Sequence, residues 1–188
     1  MDISDLISDI TSQDGWICGS YVRDVMIRRD PSYELKDLDV LIPFDMHKFL
    51  VEFLENKYGM VSEELDYNED DEIAHTHLEY KDIIVDIFSS EMYEYLSPLD
   101  YDVNSICWNG KEYVSWYPGN YNISDEEYYG YSFDIDDIIE RIHKKQAIVM
   151  LNEVHEFDDD MLQRYEKLIN KGWTILNMEQ LEDWIDNI

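Results

Sequence analysis

The chain has 188 residues, 45% hydrophobic and 14% aromatic, enough for one packed core and too apolar for a disordered polymer. Its formal net charge of −30, from 44 acids against 14 Lys and Arg, leaves no basic stripe of the kind that grips duplex DNA. Two cysteines, no apolar run near the roughly 20 residues of a membrane span, and no basic leader point to a soluble, intracellular, cytoplasmic protein.

Apolar residues at 3, 6, 7 and 10 carry helical spacing, so the chain opens on an amphipathic helix. Asp14-Gly15 is a turn and Trp16-Ile17-Cys18 a short buried strand. Gly19-Ser20 then opens a helix that reaches Arg28, with Ser20 as its cap and Asp30-Pro31 as its stop. Residues 38–42 form the next strand, ended by Pro43. Asp45 caps a helix over 47–57 with Phe49, Leu50, Phe53 and Leu54 inward and Gly59 closing it. The acids of 63–72, like those of 156–160, read as solvated loops or faces.

Residues 73–80 and 83–88 read as neighbouring strands joined by Lys81-Asp82. Asn109-Gly110 is a hairpin signal between strands over 103–108 and 112–116. After a Tyr-rich connection, 135–150, 160–170 and 179–188 read as helices. The expected class is α+β: an α/β core over 1–125, whose mixed sheet is flanked by helices, and a helical C-terminal segment over 126–188.

Chemistry concentrates in two places. On a strand, residues two apart share a face, so Asp37 and Asp39 point together while Leu38 and Val40 enter the core. Carboxylates this close raise each other's pKa unless a cation lies between them, and Mg²⁺ or Mn²⁺ suits such a site. Asp86 interrupts the apolar run Ile83-Ile84-Val85-Asp86-Ile87-Phe88, which is costly unless it is paired, metal-bound or turned to water on an edge strand. Three such acids can hold two ions for an in-line displacement at phosphorus. Gly19-Ser20, at a helix mouth, offers backbone N–H groups and a hydroxyl to phosphates, with Arg23 one turn further on. His75-x-His77 supplies two imidazoles without an evident third ligand and reads as surface histidine. The stripe Ile138, Ile139, Ile142 and Ala147 reads as core. No P-loop, Rossmann fingerprint or zinc-spaced Cys/His set occurs.

Gly19-Ser20, Val22-Arg23-Asp24 and Asp37-Leu38-Asp39 together resemble the nucleotidyltransferase superfamily of DNA polymerase β-like fold. The resemblance is closest to the head domain of tRNA nucleotidyltransferases and bacterial poly(A) polymerases. There a Gly-Gly or Gly-Ser turn precedes Val-Arg-Asp and then Asp-x-Asp. A further element of that group, Arg-Arg-Asp-Phe-Thr-Ile-Asn-Ala-Leu, is similar to Leu99-Asp100-Tyr101-Asp102-Val103-Asn104-Ser105-Ile106, with Pro98-Leu99 where the Arg pair stands. The Glu-Asp-x-x-Arg base-templating motif has no match, and the resemblance spans about residues 15–110.

The resemblance implies a metal-dependent transfer of NMP from an NTP, with ATP expected, to a hydroxyl, releasing pyrophosphate. Asp37, Asp39 and Asp86 would be the catalytic metal ligands, Gly19, Ser20 and Arg23 would hold the triphosphate, and Asp100 and Asn104 would shape the sugar pocket. The acceptor is an RNA 3′ end, a small molecule or a protein hydroxyl. The alternative is a catalytically degenerate protein of the same fold, acting as an acidic interaction module.

Overall fold

The computed structural model describes residues 2–90, 101–115, 131–150 and 159–178. Helix α1 (Ile3–Ser12) starts at Asp2, whose side chain accepts from the Ser4 N–H, and it buries Leu6 and Ile10. Strand β1 (Trp16–Ile17) leads through Cys18 to Gly19 and a second helix, α2 (Tyr21–Ile27). This helix is wound more widely than an α-helix: the Arg28 N–H reaches back five residues to the Arg23 carbonyl at 3.2 Å. Strand β2 (Asp37–Ile42) and helix α3 (Phe44–Tyr58) follow. Pro43, not Asp45, occupies the position before α3, while Asp45 sits in its first turn facing the positive end of the helix dipole. Leu50 and Leu54 face inward as expected, whereas Phe49 is 51% exposed.

A meander of β3 (Val61–Asn68), β4 (Ile73–Tyr80) and β5 (Ile83–Ser89) comes next. The acidic run is thus an edge strand over much of its length. Its charges remain exposed, and they mark an edge that resists pairing with another chain. A single turn of 3₁₀ helix (Asp102–Asn104) precedes the short hairpin of β6 (Ile106–Trp108) and β7 (Tyr113–Ser115) around Asn109-Gly110. The strand expected over 103–108 is therefore half turn and half strand.

The seven strands form one mixed sheet in the order β3-β4-β5-β2-β1-β6-β7. Among the described residues of this sheet, β2 and β5 are the parallel pair and the other pairs are antiparallel. One face carries Leu38, Val40, Ile42, Val85 and Ile87 into a cluster with Leu6, Ile10, Leu50 and Leu54. At roughly 25 cal/mol per Å² of apolar area removed from water, burial of this face favours folding. The opposite face bears the acids.

In the C-terminal segment, helix α4 (Ile135–Lys144) ends earlier than expected because Lys145 turns left-handed at φ 53°. Residues 146–147 then form β8 (Gln146–Ala147), which pairs in parallel with β9 (Thr174–Ile175) beyond helix α5 (Asp159–Asn170). Ile138, Ile142, Ala147, Leu168 and Trp173 belong to the same apolar cluster as the main sheet. The helix expected over 179–188 lies outside the described residues.

Candidate functional site

Strand geometry builds the site. In the parallel β2–β5 pair, Asp39 lies directly beside Asp86 and Asp37 beside Ile84, so the three acids occupy one face of adjacent strands. Neighbouring strands lie about 4.8 Å apart, which makes Asp39 and Asp86 close companions. Asp37, at the strand's start, is exposed, and Asp39 is partly buried. Burial is the largest influence on the Asp39 carboxyl, followed by the charges of Asp37 and Asp86; together they push its pKa up to about 7. Lys167 and Arg164 of α5 pull in the opposite direction, which puts the C-terminal segment within electrostatic reach of the acids.

Gly19 explains why the strand β1 must end as it does. It adopts φ +67°, and a Cβ there would collide with Asp39 Oδ2. Backbone and carboxyl thus occupy space that only glycine leaves open. The Cys18 N–H donates to the Asp39 carbonyl at 2.9 Å, fixing β1 against β2 at this point. Ser20, at the start of α2, shares a 2.7 Å hydrogen bond with the Tyr33 hydroxyl. On the same face, Cys18, Leu41 and Cys107 pack with Trp16, Phe88 and Val114 as an apolar floor beside the acids. Burial, followed by the neighbouring Cys107 thiol, holds the Cys18 thiol well above its ordinary pKa, a resting thiol rather than a nucleophile.

Arg23 takes a more interior position than the sequence suggested. It is 5% exposed; its guanidinium donates to Asp24 Oδ2 at 2.8 Å and to Asn104 Oδ1 at 2.6 Å, and lies 5.1 Å above the Trp173 ring. Arg23 and Asn104, expected on triphosphate and sugar, are thus brought into contact with each other and tie α2 to the 3₁₀ turn. Asp24 also receives Arg28 at 3.1 Å, and burial, which alone would raise its pKa, is outweighed by these cations, so its carboxyl sits below the ordinary value. Asp100 lies outside the described residues.

The histidines that read as surface residues stand in the site. His77 is the cross-strand partner of Asp86, and His75 lies on the same face two residues away. Both Nε2 atoms approach Asp86 Oδ1, at 2.5 Å from His75 and 3.0 Å from His77. The signal was present in the sequence: a two-residue turn at Lys81-Asp82 pairs 80 with 83, and counting back pairs 77 with 86.

The chemistry of the donor set fits a divalent cation. Three carboxylates share one face of β2 and β5, and Asp39 is destabilised as an anion first by burial and then by the other two, a repulsion that a bound cation relieves. Among the described residues, His75, His77 and Asp86 are the group whose ligand atoms all lie within 4.8 Å of one another.

No family model matches the chain, and no curated protein does. Solved structures match over nearly its whole length. A CCA-adding enzyme in complex with ATP aligns with a TM-score of 0.58 at 13% identity, covering 100% of this chain and 44% of that one. Two apo forms of a tRNA-processing enzyme align at 0.55 and 0.52, each at 14% identity, covering 93% and 96% of this chain and 44% and 48% of theirs. The chain spans less than half the length of these neighbours. What it shares with them is architecture: a mixed sheet flanked by helices, the nucleotidyltransferase-like fold.

Proposed function

We propose that the protein is a metal-dependent nucleotidyltransferase. It moves an NMP from an NTP, with ATP the expected donor, to a hydroxyl: a bond forms from the hydroxyl oxygen to the α-phosphorus, and pyrophosphate leaves. The observation that carries this reading is Asp39 beside Asp86 in register, with Asp37 on the same face and the Gly19 backbone against Asp39. Asp37, Asp39 and Asp86 would hold Mg²⁺ or Mn²⁺, which when bound supplies charge neutralisation at the phosphates and an activated hydroxyl. The Gly19-Ser20 turn at the head of α2 offers the approach for phosphate oxygens. An RNA 3′ end is the acceptor class favoured by neighbours that process tRNA or add CCA. Small-molecule and protein hydroxyls are the competing arms of the experiment.

The test is incubation with labelled NTPs and divalent ions against RNA, protein and metabolite pools, reading label transfer and pyrophosphate. Asp39→Asn should abolish turnover while the circular dichroism spectrum stays unchanged. Full turnover in a folded Asp39→Asn variant refutes the assignment. One observation favours the second reading, a non-catalytic acidic module: the Arg23 guanidinium is buried and donates to Asp24 and to Asn104 Oδ1. Calorimetry with Mg-ATP separates the two, since metal-dependent binding belongs to the enzyme and no binding belongs to the module.

A further inference from the structure

His75, His77 and Asp86 form a compact donor set that the three-acid site does not need. Their ligand atoms all lie within 4.8 Å of one another. Alternation along β4 puts both imidazoles on one face, and the tight β4–β5 turn brings Asp86 opposite His77. The His75 ring is stacked on Phe88 with centroids 4.4 Å apart, which fixes its direction, and it meets His77 edge-on at 5.1 Å. Side-chain exposures of 17%, 36% and 20% leave the cluster accessible without leaving it loose.

A hard ion such as Mg²⁺ takes oxygen ligands and has little use for imidazole, whereas first-row transition dications take both. Two imidazoles and one carboxylate are the protein ligands of an open zinc site, in which solvent or substrate takes the next position. Tetrahedral ligands about 2.0–2.1 Å from a zinc ion stand about 3.3 Å from one another. The 3.0 Å His77–Asp86 separation is close to that, and the 2.5 Å hydrogen-bonding contact of His75 with Asp86 has to open by a little under ~1 Å to admit the ion.

We propose that His75, His77 and Asp86 bind a first-row transition dication, Zn²⁺ or Co²⁺, at a position adjoining the Asp37–Asp39 pair. Asp86 is the shared ligand, because it is also the register partner of Asp39. The inference touches the nucleotidyl-transfer reading only through that shared residue, and the ion is detectable without any turnover.

The experiment uses the full chain stripped of metal. Calorimetric titration with Zn²⁺ and visible absorption with Co²⁺, each in excess Mg²⁺ to occupy the neighbouring carboxylates, should show saturable binding of one transition ion per chain. His77→Gln and His75→Gln should each weaken binding by about 10-fold or more, by analogy with the 10- to 100-fold losses seen even for outer-shell changes. Replacing the exposed His143 by Gln should leave binding unchanged. His77 is the more exposed of the pair, so His77→Gln carries the test if His75→Gln fails to fold. Absence of saturable binding, or binding equal to wild type in a folded His77→Gln variant, overturns the site. Zinc binding lost in the His variants, with no NTP turnover under any metal, keeps this site and removes the transferase. Turnover with Mg²⁺ and no zinc binding does the reverse.

Discussion

Asp39 holds its carboxyl against the Gly19 backbone, between the charges of Asp37 and Asp86, and its pKa rises to about 7. The folded chain therefore keeps this proton far above the ordinary carboxyl range. Its contribution to stability is fully present below about pH 4 and is lost as pH climbs through 7. Every tenfold gain in proton affinity on folding is worth about 1.4 kcal/mol, and water at the partly exposed side chain lowers the total. In metal-free buffer, Asp39→Asn should match wild type near pH 4 and exceed it by about 1–3 kcal/mol near pH 8. Urea denaturation across that range checks the trend, and adding a divalent cation should erase the difference. A flat difference between the two proteins would mean that the carboxyl is not under strain.

Gly19 meets the same carboxyl through its backbone. Gly19→Ala incurs about 1–2 kcal/mol for the left-handed backbone, plus the collision with Asp39 Oδ2. Asp39→Ala removes the colliding oxygen and leaves the backbone cost. A double-mutant cycle in urea should therefore return a coupling of at least about 1 kcal/mol between positions 19 and 39. Additive costs would contradict the contact.

Among the elements, the 3₁₀ turn at 102–104 has the most demanding anchor. Asp102 is fully buried, and it accepts from Arg141 Nε on α4 and from the Ile148 N–H, both at 2.7 Å. Arg141 also donates to the Ser132 carbonyl at 2.8 Å. Arg141→Met would strand a buried carboxylate, at a cost of about 3–5 kcal/mol. The thermal midpoint should fall by roughly 10 °C, given 2–4 °C per kcal/mol for a chain of this size. The sequence presents Asp102 as an oddity where a related segment has Thr, and only the meeting of two distant elements explains it.

The same contrast runs through the site. The shared face of Asp37 and Asp39 was legible because alternation alone sorts the side chains, and the strand end at Gly19 because it is local. Ser20 precedes α2 as expected but makes no side-chain cap, its hydroxyl bonding Tyr33 instead. The acidic strand β3 was hidden by its composition, since its partner β4, not its own apolarity, makes it a strand. His75 and His77 were hidden differently: their third ligand sits on the next strand, and it appears only when turn and register are counted together. Helix α4 continued apolar spacing past its true end, because no spacing records the left-handed turn at Lys145.

The net charge of −30 repels the anionic substrate that the proposed reaction requires. Helix α5 supplies a local exception. Arg164 and Lys167 act on Asp39 from more than a hundred residues further along the chain, and Lys171, just beyond the helix, lies 3.6 Å from Asp24. The short β8–β9 pairing and Trp173, which stacks on Arg23, fix this end of the chain against α2. Under the proposed reaction, a triphosphate approaching the acids would meet a positive flank inside a negative field. Reversing that flank in Arg164→Glu/Lys167→Glu should raise the KM for NTP about 10-fold, the order expected for a surface field acting on a charged ligand. The chemical step depends on the acids, so kcat should change much less. Raising ionic strength to about 1 M shortens the screening length to about 3 Å, and the two proteins should then converge in KM. A KM that ignores both the reversal and the salt would place the nucleotide's entry away from α5.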